Sequence, residues 1–232
     1  MSAKLYTEDN CEYLNRNPTW HAEDSSWKAG LILKMLKKNS INPNSVAELG
    51  CGCGEILNQL QLSMPRNVIF TGNDISNDAI FFAKQKAKDR IEFMVGSFSE
   101  STERFDLLLI IDVFEHVDDY LGFLKLYKNK AKFTIFHIPL DISVQAILRN
   151  KLMYERKQVG HLHYFIKETA IATLIDSGYE IIDCFYTAAT IYLPSKSIKS
   201  RLAILPRKLL YYTNQDFAAK LLGGFSLLVL TK

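Results

Sequence analysis

The sequence predicts an α/β protein built on a parallel β-sheet with helices on both faces. Three observations carry that expectation. From residue 45 onward, short apolar runs alternate with segments whose apolar residues recur at helical spacing. The run Phe105–Ile111 is almost unbroken in apolar character, as a strand buried on both faces must be. A glycine-rich turn, Gly50-Cys51-Gly52-Cys53-Gly54, stands where the first strand of the series passes into a helix. The chain has 232 residues, 48% hydrophobic and 23% charged, with 14 Phe and 11 Tyr. That is enough apolar material for one large core, so a single domain over 1–232 is expected.

The elements follow in order. Residues 1–40 read as a helical prelude broken at Pro18, with Asp24-Ser25-Ser26 capping a segment that carries Trp27, Leu31, Met35 and Leu36 at the 3.6 period. After the turn residues Asn42-Pro43-Asn44-Ser45, residues 45–49 form a short buried strand and 55–62 return to helical spacing. Residues 67–72 make a second strand, and Ser76-Asn77-Asp78 cap a helix with Ile80, Ala83 and Ala87 on one face. Strands are then expected at 91–95, 105–111 and 131–138, with a helix at 120–127. A connecting region at 141–165 leads to a helix at 167–177, a stop at Gly178, a strand at 180–185, an insertion and a last strand at 225–230. Three regions result: a helical prelude at 1–40, a core of alternating strands and helices at 41–140, and a third region with the insertion and terminal strands at 141–232.

Charge and cysteine content narrow the function classes. A net charge of +3 is too weak a bias for a nucleic-acid partner. The first residues carry no apolar stretch of secretory type, and no run approaches the roughly 20 apolar residues of a membrane span. Cys11, Cys51, Cys53 and Cys184 without a secretory signal suggest reduced thiols and a cytoplasmic protein. Cys51-x-Cys53 lacks further ligands at sensible spacing, so no metal is expected there. The insertion at 191–222 is basic: Lys196, Lys199, Arg201, Arg207, Lys208 and Lys220 face Asp216 alone, with Leu202, Leu205, Leu209 and Tyr212 interleaved. It reads as a solvated helical hairpin beside the last strands, or as a surface for a membrane, an anionic substrate or a partner.

The chemistry concentrates around the glycine turn. Gly50, Gly52 and Gly54 allow a tight bend and let a ligand lie against the backbone. Their G-x-G-x-G spacing departs from the dinucleotide pattern G-x-G-x-x-G, which leans away from a pyrophosphate and from an NAD-dependent oxidoreductase. Twenty residues past Gly54 lies Asp74, placed either to accept both hydroxyls of a ribose or to cap the helix that begins near Ser76.

The stretches Val46-Ala47-Glu48-Leu49-Gly50-Cys51-Gly52-Cys53-Gly54, Gly72-Asn73-Asp74-Ile75-Ser76 and Asp112-Val113-Phe114-Glu115-His116-Val117-Asp118 resemble the class I, Rossmann-like S-adenosylmethionine-dependent methyltransferases. The resemblance runs from about 45 to 139, and 224–230 resembles the strand that ends this fold. It implies a three-layer, doubly wound, mostly parallel seven-stranded sheet with the last strand antiparallel, and an N-terminal helical lid. It implies S-adenosylmethionine as cofactor, with Glu48 and Gly50, Cys51, Gly52 and Gly54 along its methionine and ribose part. Asp74 would hold the ribose, Ile75 would lie against the adenine, and Asp112, Val113 and His116 would close the site. Where the family usually has an acid for the adenine amino group this chain has Gly96-Ser97-Phe98, so Ser97 and Phe98 are the candidates there.

Methyl transfer is an in-line displacement, for which a protein mainly supplies alignment and water exclusion; a hydroxyl acceptor also wants a base. In this fold His116, His137, His161 and His163 would fall near the acceptor pocket, and His21 in the lid. His116, His163 and His21 are the catalytic candidates, whereas the stretch with His161 is expected to dock the following helix. Gly160-His161-Leu162-His163-Tyr164-Phe165 resembles a pattern of bacterial small-molecule methyltransferases acting on quinone precursors, lipids and surface sugars. The reading is a methyltransferase for a small-molecule acceptor, at oxygen. Its rivals are a non-catalytic protein of the same fold and an NAD-dependent oxidoreductase.

Overall fold

A computed structural model describes residues 22–98, 103–194 and 204–232. Seven strands, β1 (Ser45–Leu49), β2 (Ile69–Asp74), β3 (Ile91–Val95), β4 (Phe105–Ile111), β5 (Ala131–Leu140), β6 (Ile181–Thr187) and β7 (Phe225–Thr231), form one sheet in the order β3-β2-β1-β4-β5-β7-β6. Pairing is parallel from β3 to β5, while β7 lies between β5 and β6 and runs antiparallel to both. The predicted seven-stranded sheet is thus present, and its last strand, β7, is the antiparallel one, lying inside the sheet.

The period of two along each strand divides the core. In β4, Leu107, Leu109 and Ile111 pack on one face and Leu108 and Ile110 on the other, all fully or nearly fully buried. Strand β7 does the same, with Leu228 and Leu230 on the first face and Leu227 and Val229 on the second. The first face is covered by α1 (Ser25–Lys38), α2 (Glu55–Ser63) and α3 (Asn77–Lys86), through Ile32, Met35, Leu57, Leu60 and Ile80. The second is covered by α4 (Tyr120–Tyr127) and α7 (Lys167–Asp176), through Leu124, Ala170 and Leu174. Neither layer could bury its apolar stripe alone.

Several boundaries depart from expectation. Strand β2 runs two residues further than the sequence suggested, because Gly72, Asn73 and Asp74 still pair with β3. Strand β5 passes through Pro139, which lies beyond the last pair with β4, Ile111↔His137, where only β7 holds the strand. The region expected as a connection contains two short helices, α5 (Val144–Leu148) and α6 (Lys151–Gln158). Asp24 does not cap α1 with its side chain, since Oδ2 is drawn 2.9 Å from Lys28 Nζ instead.

After β6 and the one-turn α8 (Ala189–Tyr192), the described part of the basic insertion forms α9 (Ile204–Thr213) and α10 (Gln215–Leu222). These pack beside β7, with Tyr211 stacked on Phe225 and Arg207 bonded to the Gly223 carbonyl. The hairpin expectation holds for this part, while Lys196, Lys199, Arg201 and Leu202 lie outside the described residues. Leu205, Leu209 and Tyr212 are exposed on α9.

Candidate active site

The carboxyl ends of β1, β2, β4 and β5 open into a cleft of about 750 Å³. The glycine turn forms its floor. Gly50, Gly52 and Gly54 all have left-handed φ values of 72°, 53° and 74°, conformations a side chain would strain. The Gly50 and Cys51 N–H groups both donate to the Asn73 carbonyl, at 2.7 and 2.9 Å, which ties the turn to β2. A Cβ at Gly50 would come within 2.7 Å of Val113 Cγ2, so the turn and the end of β4 are in van der Waals contact only because this residue is glycine. Cys51 is buried and its sulfur lies over Gly72, while Cys53 is buried in the turn.

Asp74 is nearly buried at the end of β2. Its Oδ2 accepts from the Gly52 N–H and its Oδ1 from the Ser76 N–H, both at 2.9 Å. Cap duty for α3 falls to Ser76, whose hydroxyl accepts from the Ala79 N–H. Burial pushes the Asp74 carboxyl up, against the pull of these backbone donors. Glu48, 2% exposed, has a buried Oε2 with no hydrogen-bond partner. Burial drives its pKa well above the usual carboxylate range, opposed by Lys28 and reinforced by Asp74. Ile75 is half-exposed along the cleft. Ser97 also borders the cleft, with its hydroxyl bonded to the Tyr127 hydroxyl. Phe98 does not; it is buried against Phe105 and Tyr127, below the floor.

Asp112, with φ of 54°, directly follows β4 in a conformation rare for a residue with a side chain. Its two oxygens are held from opposite sides: Oδ2 lies 2.9 Å from Lys28 Nζ and Oδ1 lies 2.6 Å from His137 Nδ1. The far nitrogen of His137 meets Thr187 Oγ1 at 2.9 Å, which extends the chain of contacts to β6. Burial opposes ionisation of Asp112, yet His137 and Lys28 more than reverse it and hold the carboxyl well below its usual range. Lys28 in turn is held charged by Asp112 and Asp24 despite its burial. The sequence reading missed Lys28: nothing local marks it, and only the crossing of α1 over the sheet brings it to Asp112.

The far wall carries Glu115, His116 and His161. His116 and His161 border the cleft, their rings edge-to-face at 4.8 Å. Glu115 is fully buried with both carboxylate oxygens unpartnered. Burial, then the charge of Asp112, pushes its carboxyl up to about 8. Burial and the neighbouring His161 push His116 down to about 4. Burial also works against the charge on His161, but the 2.6 Å contact of its Nδ1 with Asp141 and the nearby Glu115 raise it to about 9.

The two histidines of the 160–165 stretch stand differently toward the cleft. His161 borders the cleft, whereas His163 does not line it itself: it donates to the carbonyl of Val117, a lining residue, at 2.9 Å and lies against Tyr120. The third candidate, His21, lies outside the described residues. Among the described residues no helix is long and apolar enough to cross a membrane.

A family model described as "Methyltransferase domain" matches residues 19–183, and the chain belongs to that family. It is a class I, S-adenosylmethionine-dependent methyltransferase with the Rossmann-like sheet of that class. Solved structures share the fold at low identity. A methyltransferase from Thermotoga maritima described as a possible histamine N-methyltransferase is 16% identical, with 95% of this chain and 97% of that one covered, at a TM-score of 0.61. Magnesium protoporphyrin IX methyltransferase from Synechocystis PCC 6803, with S-adenosylhomocysteine bound, is 15% identical over 89% of this chain and 83% of that one, at 0.60. The plantazolicin methyltransferase, also with S-adenosylhomocysteine, is 17% identical over 100% of this chain and 93% of that one, at 0.58. No curated protein sequence matches the chain.

Proposed function

We propose that this chain transfers a methyl group from S-adenosylmethionine to an oxygen of a small-molecule acceptor, and that both partners meet in the cleft over β1, β2 and β4. The observation that carries this reading is the joining, in one cleft, of the glycine turn, the two buried carboxyls Asp74 and Glu48, and the histidine-lined far wall. The cofactor is a cation on a sugar, and these residues fit one. The Glu48 Oε2 has no hydrogen-bond partner, and a carboxylate has about four acceptor sites, so Asp74 can receive ribose hydroxyls beside its two backbone donors. Bound there, the cofactor supplies an electrophilic methyl group on a sulfonium.

The chain supplies the rest. Glu48 would neutralise the positive end, the backbone from Gly50 to Gly54 would lie along the ribose and methionine part, and Ile75 would cover the adenine. Ser97 would border the adenine edge and Phe98 would support it from the core. Asp112 and Val113 close the floor between cofactor and acceptor. Of the three proposed catalytic histidines, His116 is the one whose placement on the cleft supports contact with the acceptor. His163 would act through the wall rather than on it. Small-molecule names among the structural neighbours, the porphyrin and plantazolicin enzymes, support a small acceptor, and a local basic hairpin suits one that is anionic.

Titration calorimetry of S-adenosylmethionine and S-adenosylhomocysteine into the wild type and Asp74→Ala tests the cofactor assignment. Loss of about 1.5–3 kcal/mol is expected for hydrogen bonds to a charged group, that is, roughly 10- to 150-fold weaker binding. An unchanged affinity in Asp74→Ala would overturn the site. Incubation with hydroxylated acceptor pools should then release S-adenosylhomocysteine, and labelled methyl recovered only on nitrogen or carbon would overturn the oxygen assignment.

A further inference from the structure

We propose that Glu115, His116 and His161 form a site for one divalent first-row transition-metal ion, of the Zn2+ type, on the acceptor wall of the cleft. One donor atom from each of the three residues lies within 4.8 Å of the others. Tetrahedral coordination with bonds of about 2.0–2.1 Å places donors about 3.4 Å apart. The cluster therefore has to close by little more than an ångström at its widest. The second and stronger reason is the Glu115 carboxyl group itself. It is 0% exposed, and neither oxygen has a hydrogen-bond partner. A buried carboxylate with nothing to accept from is costly unless paired or bound to a metal.

The residues behind the cluster have the arrangement that metal-binding imidazoles need. A ligating histidine commonly donates its other ring N–H to a carboxylate or a backbone carbonyl, which fixes the tautomer and aims the lone pair. The Nδ1 of His161 is 2.6 Å from Asp141 Oδ2, which leaves Nε2 for the site. His116 is hydrogen-bonded to the backbone of Gly160, a tie to the main chain of the kind that orients an imidazole. Glu115 is fixed from the main chain, its carbonyl accepting from both Leu162 and His163 at 2.8 and 3.1 Å. Two imidazoles and one carboxylate favour an ion of intermediate softness over Mg2+ or Ca2+, which prefer oxygen. Because His116 and His161 border the cleft, a fourth position faces it, open to water or to an acceptor oxygen.

The site differs from the Cys51-x-Cys53 pair considered above, whose sulfurs are packed in the turn. It also changes the reading of His116: with an ion bound, this residue is a ligand and takes no proton from the acceptor.

The test uses the metal alone, so its outcome is independent of cofactor or acceptor. The chain is treated with chelator, its fold checked by circular dichroism, and Co2+ added while visible absorption is followed. The expected result is a ligand-field band saturating at one ion per chain, displaced by Zn2+ and not by Mg2+. Glu115→Gln and His161→Gln should each lose at least 100-fold in affinity. Asp141→Asn, a positioning residue, should lose about 10- to 100-fold with the band shape retained. The proposal is overturned if the folded wild type gives no band. It is equally overturned if the band survives in Glu115→Gln, or shows the intense charge transfer of thiolate ligation from Cys51 and Cys53. Should Glu115→Gln fail to fold, Asp141→Asn and His161→Gln carry the same decision.

Discussion

Replacing Lys28 by Met should destabilise the protein by about 3 kcal/mol, at the lower end of the 3–5 kcal/mol typical of breaking a buried ion pair. The side chains of Lys28 and Asp112 are only 13% and 27% exposed, and Lys28 Nζ stands 2.9 Å from both Asp112 and Asp24. At an effective dielectric constant of about 20, unit charges about 4 Å apart attract by about 4 kcal/mol, most of which offsets desolvation. What the substitution exposes is the stranded charge on Asp112, eased by the remaining contact with His137. Asp112→Asn gives the reciprocal variant; asparagine tolerates a left-handed φ, so the charge is removed without new backbone strain. Urea unfolding of both single variants and the double variant at pH 7 should give a coupling of about 1–3 kcal/mol. The melting temperature of Lys28→Met should fall by roughly 6–12 °C for a chain of this size. Because the Asp112 pKa is depressed on folding, its contribution is present above the usual carboxylate pKa and is lost as pH falls through the folded value. The difference between wild type and Asp112→Asn should therefore narrow in acid. Single costs below 1 kcal/mol with no coupling would refute the view that Lys28 holds Asp112 in place.

Three further outcomes are expected. Gly50→Ala should cost about 1–3 kcal/mol and weaken cofactor binding, because its Cβ would meet Val113 and its φ is 72°; Gly50→Ala/Val113→Ala should recover only the steric part, and a neutral single variant in thermal melts would count against the close approach. Glu48 is buried with a raised pKa, so binding a cation must release its proton, and S-adenosylmethionine affinity should rise with pH from the usual carboxylate range upward; calorimetry in buffers of different ionisation enthalpy should show proton release in the wild type and none in Glu48→Gln. Phe136→Ala should cost about 3–5 kcal/mol in urea unfolding, since this ring is fully buried against Phe114 and Tyr179.

What could be read from the sequence divides by the range of the interactions involved. The turn at Gly50–Gly54 and the placement of Asp74 rest on backbone geometry and strand–helix alternation, both written locally. The pairing of Lys28 with Asp112 spans 84 positions in sequence and depends on how α1 lies across the sheet, which no periodicity encodes. The different placement of His161 and His163 has a specific cause. The consecutive N–H groups of Leu162 and His163 both point at one carbonyl, that of Glu115, so the backbone is not regularly extended there and residues two apart no longer share a side. Phe98 was drawn toward the adenine by its neighbour Ser97, but the apolar pull of Phe105 and Tyr127 takes it into the core. Glu115 was visible only as part of the Asp-x-x-Glu-His element; its burial was not.

The position of β7 bears on how the protein is made. Strand β6 touches the rest of the sheet only through β7, which follows it in the chain by nearly forty residues. On a ribosome, β6 emerges with no partner to pair with, and β5 waits with one edge bare until residues 225–231 are free to slot between them. The Thr231 hydroxyl then bonds to the Thr134 carbonyl, 97 positions upstream. Contacts that distant form slowly. Thr187, which steadies His137 and through it Asp112, sits on the strand that is seated last. A nascent chain can thus complete the half of the sheet that carries the glycine turn well before the half that braces the end of β4, and the unpaired edge of β5 is the surface a chaperone would have most reason to cover.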